Sequence, residues 1–272
     1  MSTTRRFLPS DPADFARSIV PIALLACAAL VPGIRLVILA VLTAGTVIAI
    51  GRAAPVRWAW AAAIPVGLSL AWEAWPSPTA PAGECTDPAS LVAWWRVGQA
   101  VIVLGVVVAL AIVLRVDRAS FAFRMPARRY VRWAIVGFLV SGPLAVVVGP
   151  LLAAPFFGEI RYDVTAVGAI VPALLFAVAN GAMEEVTYRG ALLFWSARVM
   201  GIGPALFGQS IVFGLAHSGS DVRAFPLFVM VALGLGGLIA GAIAVRTRSL
   251  LIPTAIHIGL DLPLYYALAC ST

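Results

Sequence analysis

Five side chains in the apolar C-terminal half of the chain are the ones most able to do chemistry. They are Glu184, Glu185, His217, His257 and Asp261, and they include both histidines of the sequence. An ionisable group at the centre of a bilayer costs about 2.5–3.5 kcal/mol on insertion scales, so its presence there needs a reason. Carboxylates beside imidazoles can act as a general base that activates water. The same groups could instead hold a metal ion with an open position for water.

The first of three short motifs is the segment 184–189, which reads EEVTYR. On a helix Glu185 and Arg189 are four residues apart and can form an ion pair. Glu184 is rotated by about 100° from Glu185 and is not neutralised by that pair. The pattern predicts one structural glutamate and one reactive base. A helix end at the membrane interface with an ordinary ion pair is the alternative interpretation.

The second and third motifs each place a histidine one helical turn from another notable residue. Phe213 and His217 share a helix face, and so do His257 and Asp261. A lone histidine within a membrane is often only a hydrogen-bonded contact between helices. Two histidines and two carboxylates on three apolar segments instead favour a site within the membrane. The zinc-peptidase motif HExxH is absent from the sequence.

The composition indicates which elements position these residues. Hydrophobic residues make up 62% of the 272 residues and charged residues 11%, against about 25% charged in soluble domains. Only helices and closed barrels satisfy their backbone polar groups in hydrocarbon. Apolar runs such as 91–114 are long and continuous, unlike the short alternating strands of a barrel. We therefore predict an all-α fold, a polytopic membrane bundle of about eight transmembrane helices, with nine as the upper count.

The nine candidate spans are 18–32, 34–51, 58–74, 91–114, 133–154, 165–183, 203–220, 225–245 and 250–268. The first two are joined at Pro32-Gly33 and form a hairpin or a broken pair. Glu184 and His217 can share one water molecule only if they lie at the same depth. This requires the helix that carries Glu184 to continue from about 167 to 198, and the apolar residues after Glu184 favour that interpretation.

The arginines indicate orientation. The net charge of +7 comes from arginines in the N-terminal tail and in short links such as 115–132, whereas the link 75–90 is acidic. The positive-inside rule then predicts a multi-pass protein of the cell membrane with a cytoplasmic N-terminus. Arginines placed in this way do not indicate nucleic acid as a partner. Because all basic residues are arginine and Ala, Val and Gly are abundant, the composition is typical of a GC-rich bacterial genome.

The sequence divides into a region without diagnostic motifs and a region that contains them. Residues 1–132 are interpreted as N-terminal transmembrane helices without diagnostic motifs, and residues 133–272 as the catalytic membrane core. A transporter with a proton relay is another possible function for such residues. No internal repeat is evident, and this disfavours a transporter. Cys27, Cys85 and Cys270 are an odd set without a CxxC pair and are interpreted as free thiols.

The order EExxxR, FxxxH and HxxxN or HxxxD resembles the CAAX prenyl endopeptidase family (the CPBP family). That family also includes bacterial CAAX-like proteases and bacteriocin-processing or immunity proteins. The resemblance covers about residues 165–268. It implies an all-helical intramembrane endopeptidase that uses a glutamate-activated water and needs no metal or other cofactor.

The resemblance also implies a role for each motif residue. Glu184 would be the general base and His217 would bind and polarise the water. Glu185 and Arg189 would pair and, together with Phe213, would hold the geometry of the site.

The third motif, at 257–261, would stabilise the oxyanion. This chain has Asp261 where the eukaryotic enzymes have asparagine, although bacterial branches of the family often carry aspartate. An ionised aspartate cannot donate a hydrogen bond to an oxyanion, so it would have to be protonated or would orient His257 instead.

The expected function is therefore cleavage of a membrane-associated peptide or protein within the lipid bilayer. No prenylated substrate is predicted, because the composition is bacterial in character. A non-catalytic bacteriocin immunity or scaffold protein of the same fold is one alternative, since a fold does not determine a function. A zinc-dependent membrane metallopeptidase is the other.

Overall fold

A computed structural model describes residues 11–73, 75, 86–87, 90–117, 127–157, 166–217 and 226–269. Most of the acidic link 75–90, part of the basic link 115–132, and Cys85 and Cys270 lie outside the described residues.

Each of the predicted apolar segments forms a helix over most of its described residues, and the described residues contain no strand, so the all-α prediction is confirmed. The helices are α1 Pro12–Leu30, α2 Arg35–Gly51, α3 Arg57–Trp72, α4 Leu91–Val113, α5 Arg128–Phe157, α6 Ile170–Glu184, α7 Phe194–Met200, α8 Ile202–Ala216, α9 Pro226–Thr247 and α10 Leu251–Ala269. A short 3₁₀ turn, Pro32–Ile34, joins α1 to α2, and a π-helix, Glu185–Leu193, joins α6 to α7.

The outer faces of these helices are those of a multi-pass membrane protein. Within the described residues, six helical segments are long and apolar enough to cross a membrane, judged by length and composition. Large hydrophobic side chains such as Val47, Val101, Ile112 and Ile239 are exposed on them. Exposed apolar faces of this kind are stable against lipid and unfavourable against water.

The helix that carries the first motif is the most enclosed of the six segments. It runs without interruption from Val167 to Met200, 34 residues, with Glu184 near its middle. At 1.5 Å per residue this is about 50 Å, longer than the roughly 30 Å hydrocarbon core. The continuous helix from about 167 to 198 that the sequence predicted is therefore present.

A tight reversal at Gly201 brings the second motif back to the same depth. Gly201 has φ of +82°, a conformation that glycine adopts readily and other residues rarely do. Glu184 lies 17 residues before it and His217 lies 16 residues after it. Because α7 and α8 pack against each other as an antiparallel pair, these nearly equal distances place Glu184 and His217 side by side.

Small residues permit close approach between the remaining helices, as is common in membranes. Gly259 of α10 faces Phe138, Ser141 and Gly142 of α5, where an added Cβ would clash with the Ser141 hydroxyl. Gly181 of α6 lies against the same helix, α10, on the side that carries the third motif. These contacts hold α10 beside both α5 and α6.

Candidate active site

The three motifs meet at Glu184, where α6 passes into the π-helix. The Glu184 Oε2 atom lies 3.9 Å from His217 Nε2 and 3.6 Å from His257 Nε2. Both distances exceed those of direct hydrogen bonds, about 2.7–3.2 Å, and suit groups that share a small molecule between them. Oε2 is buried and accepts no hydrogen bond from any described residue. The carboxylate and the two imidazoles therefore face one small polar space.

The end of α8 orients His217. Its Nδ1 lies 2.7 Å from the Phe213 carbonyl oxygen, one helical turn earlier. A carbonyl can only accept, so in the neutral imidazole Nδ1 carries the proton and Nε2 presents its lone pair toward Glu184. The Phe213 ring also packs 4.6 Å, between centroids, from the imidazole. Phe213 thus positions His217 through both its backbone and its ring.

His257 is oriented by Glu185. Its Nδ1 lies 2.8 Å from Glu185 Oε1, which leaves Nε2 directed at Glu184 and, also at 3.6 Å, at Asp261 Oδ2. The sequence predicted Arg189 as the partner of Glu185 and no contact between Glu185 and His257. Instead one carboxylate oxygen serves both partners, because a carboxylate oxygen has two lone pairs. Glu185 therefore links the first motif directly to the third.

Arg189 completes this buried group. Its Nη1 lies 3.0 Å from Glu185 Oε1, and both side chains are 2% exposed. Its guanidinium carbon lies 4.1 Å from the centroid of the Phe213 ring, within the range of a cation–π contact. Arg189 thereby contacts both Glu185 and the aromatic residue that orients His217.

The backbone that carries this pair departs from the α-helix expected from sequence. Residues 185–193 form a π-helix, and every one of them is buried. A π-helix within an α-helix is rare and frequently occurs at functional sites. Here it turns the Glu185 and Arg189 side chains inward together, against α8 and α10.

Asn180 is a residue of this site that sequence reasoning missed. Its Nδ2 donates a 2.8 Å hydrogen bond to Asp261 Oδ2, and both residues are buried. Gly181 makes this approach possible, since a Cβ there would lie 3.1 Å from Ile258 of α10. The signal was available, because Asn180 is an amide in an apolar helix one turn before Glu184.

Arg96 is the second missed residue, and it comes from the N-terminal region that showed no motif. It lies on α4, donates a 2.6 Å hydrogen bond to the Gln99 side chain, and interacts electrostatically with Glu184 and Asp261. An arginine within the apolar run 91–114 meets the same criterion of an expensive intramembrane charge that singled out the glutamates. It adds positive charge on the α4 side of the carboxylates.

Among the described residues no group of three or more His, Cys, Asp or Glu side chains has the arrangement of a metal site. Both Nδ1 atoms are held by protein acceptors, as noted above, and both Nε2 atoms face Glu184. The Glu184 carboxylate is therefore flanked by two imidazoles.

These features define a class, a polytopic α-helical membrane protein with a buried carboxylate–imidazole site between its helices. Residues 166–263 match the family model described as type II CAAX prenyl endopeptidase Rce1-like, and this region contains all three motifs. Over this region the chain is similar to the CAAX prenyl endopeptidase family, as the resemblance of its motifs predicted. This similarity supports a CAAX protease-type intramembrane peptidase activity. Comparisons with curated proteins and with solved structures found no match.

Proposed function

We propose that this protein is an intramembrane glutamic endopeptidase that cleaves a membrane-associated peptide or protein. The observation that carries the proposal is the position of Glu184. Its Oε2 faces His217 Nε2 and His257 Nε2 at 3.9 and 3.6 Å, so a single water molecule can contact all three groups. A base within reach of a bound water is the first requirement for general-base hydrolysis.

In the proposed reaction Glu184 takes a proton from the water as its oxygen attacks the scissile carbonyl carbon. A carbon–oxygen bond forms, and the carbonyl oxygen becomes an oxyanion. Glu184 then returns the proton to the amide nitrogen as the carbon–nitrogen bond breaks, which yields a carboxylate and an amine. His217 orients the water with the lone pair of Nε2.

His257 would stabilise the oxyanion. With a proton on Nε2, its imidazole could donate a hydrogen bond to the developing negative charge, the interaction that often contributes most to catalysis. Asp261 accepts a hydrogen bond from Asn180 and lies beside His257, so we assign it an orienting role rather than direct donation. Glu185 and Arg189 would keep His257 in place.

We also propose the division of the chain and its placement. Residues 133–272 would be the catalytic core. Residues 1–132 would support it, through Arg96 on α4 and through the packing of α1 against α8. The protein would lie in the cell membrane with its N-terminus in the cytoplasm. The immunity or scaffold protein and the zinc peptidase have no specific observation in their favour.

The test compares membranes containing the wild type, Glu184→Gln and the control Asp14→Asn, which removes a carboxylate near the start of α1. New peptide termini are detected by mass spectrometry, and a set of lipid-anchored fluorogenic peptides reports rates. Loss of the general base should lower the rate by about 10²–10⁴-fold, and Asp14→Asn should leave it unchanged. Equal cleavage by Glu184→Gln would refute the glutamate mechanism. A folded wild type that produces no new termini would favour the scaffold function.

A further inference from the structure

The contact between Asn180 and Asp261 is a polar pair buried at the interface of α6 and α10. Both residues are 5% exposed, and the hydrogen bond is 2.8 Å long. A carboxylate that lacks its proton can only accept, so the amide nitrogen is the atom directed at Asp261. The Asn180 Oδ1 atom is buried and has no hydrogen-bond donor among the described residues. The amide therefore serves Asp261 at the expense of leaving its own oxygen unsatisfied, which costs stability.

This pair continues directly into the site. Asp261 Oδ2 lies 3.6 Å from His257 Nε2, and that nitrogen lies 3.6 Å from Glu184 Oε2. Asn180 and Glu184 are one helical turn apart on α6, whereas His257 and Asp261 are one turn apart on α10. The four side chains thus form a ring that crosses between the two helices twice.

Resting on the function proposed above, we propose that Asn180 is a positioning residue of the reaction. Through its hydrogen bond it holds Asp261 as an unprotonated acceptor beside His257, and it thereby keeps the His257 imidazole aimed at the space in front of Glu184. Asn180 itself touches neither the water nor the substrate.

Other charged groups surround the pair. Glu184 at the end of α6 and Glu185 at the start of the π-helix approach His257, and Arg96 on α4 interacts electrostatically with Asp261. None of these replaces the Asn180 contact, because Asn180 is the residue that donates a hydrogen bond to Asp261 Oδ2 among the described side chains. Loss of the amide would leave the Asp261 carboxylate free to rotate away from His257.

The first variant is Asn180→Leu, which keeps most of the volume and removes the donor. We expect kcat per folded molecule to fall about tenfold with KM within about twofold, because a displaced His257 would stabilise the oxyanion less well, and the oxyanion is present only in the transition state. Tenfold corresponds to about 1.4 kcal/mol.

The matched control is Gln209→Leu. Gln209 is also a buried amide, and it donates a 3.0 Å hydrogen bond to the Gly237 carbonyl between α8 and α9, outside the site. This variant should lower the yield or the thermal stability of the protein while kcat per folded molecule stays unchanged. A merely structural Asn180 would behave in the same way.

A charge swap provides the rescue. Asn180→Asp places two carboxylates together and should reduce both Tm and kcat. Adding Asp261→Asn to it restores one amide–carboxylate hydrogen bond across the same interface, and it should recover most of the lost Tm and at least part of the lost kcat.

Three results would overturn the inference. The first is a wild-type kcat in Asn180→Leu. The second is an Asn180→Leu variant that, like Gln209→Leu, loses yield or thermal stability but not kcat per folded molecule. The third is a double variant whose Tm and kcat are no higher than those of Asn180→Asp. The Tm comparison needs no substrate. If Glu184→Gln stays active, the proposed function fails; if Glu184→Gln is inactive while Asn180→Leu is normal, only the role of Asn180 fails.

Discussion

Arg189 should be a determinant of folding, whereas Glu184 should be a determinant of turnover. The Arg189 and Glu185 side chains are each 2% exposed, so neither charge can be solvated if the other is removed. Breaking a buried ion pair by deleting one partner costs about 3–5 kcal/mol. The Arg189 guanidinium also lies 4.1 Å from the Phe213 ring centroid, a contact of about 0.5–2 kcal/mol.

Two features of the site reduce this cost. Nη1 is close to Glu185 Oε1 at 3.0 Å but makes no aligned hydrogen bond, so the attraction is mainly electrostatic. Glu185 also keeps His257 as a second partner at 2.8 Å when Arg189 is absent. We therefore expect Arg189→Ala to destabilise the protein by about 3 kcal/mol, the lower end of the range for a broken buried pair.

The assay is unfolding in detergent by titration with a denaturing surfactant, together with the folded yield after purification. The control is Arg17→Ala, which removes an arginine that is 71% exposed and lies 3.7 Å from Asp14. An exposed pair of this kind contributes about 0–1 kcal/mol, so this variant should remain close to the wild type.

A double variant separates the charge from the packing. In Glu185→Gln with Arg189→Met both charges are removed, and the amide oxygen of the introduced glutamine can still accept the hydrogen bond from His257. We expect it to regain about 1–3 kcal/mol over Arg189→Met alone, since removing both members of a buried pair is better tolerated than removing one. The reasoning is refuted if Arg189→Ala unfolds like Arg17→Ala, or if Glu184→Gln loses as much folded protein as Arg189→Ala.

Three further predictions concern the metal alternative, helix packing and topology. The purified protein should hold no stoichiometric zinc and should keep its activity after strong chelation; elemental analysis finding about one zinc per chain, lost and restored together with activity, would establish a metallopeptidase instead. Gly259→Ala should destabilise the protein by about 1–3 kcal/mol, because the added Cβ would clash with Ser141 and lie 2.7 Å from the Phe138 carbonyl oxygen. The control Gly236→Ala should have little effect, because nothing lies within 4 Å of the added Cβ. Equal unfolding curves for the two variants would contradict this prediction. A reporter fused to the N-terminus should be active on the cytoplasmic side of the membrane. Reporter activity on the opposite side of the membrane would contradict the proposed orientation.

Much of the fold could be predicted from the sequence because hydropathy acts locally. A run such as 91–114 has few polar side chains, and these lie near its start. In lipid its backbone must satisfy its own hydrogen bonds, so the run forms a helix whatever its neighbours are. The same reasoning predicted the long helix around Glu184. It did not predict the π-helix at 185–193, because the local sequence pattern does not distinguish a π-helix from an α-helix there.

The sequence by itself determined which residues are too polar for their surroundings, and hence that Glu184, His217 and His257 needed an explanation. It could not determine which atom faces which, because that depends on the rotation of each helix about its axis and on the distance between helices. Only the tertiary structure decided that Glu185 serves His257 as well as Arg189, since α10 approaches α6 closely at Gly181. It also decided that Asn180 donates to Asp261, for the same reason: partners 81 positions apart meet only where two helices pack without a side chain between them.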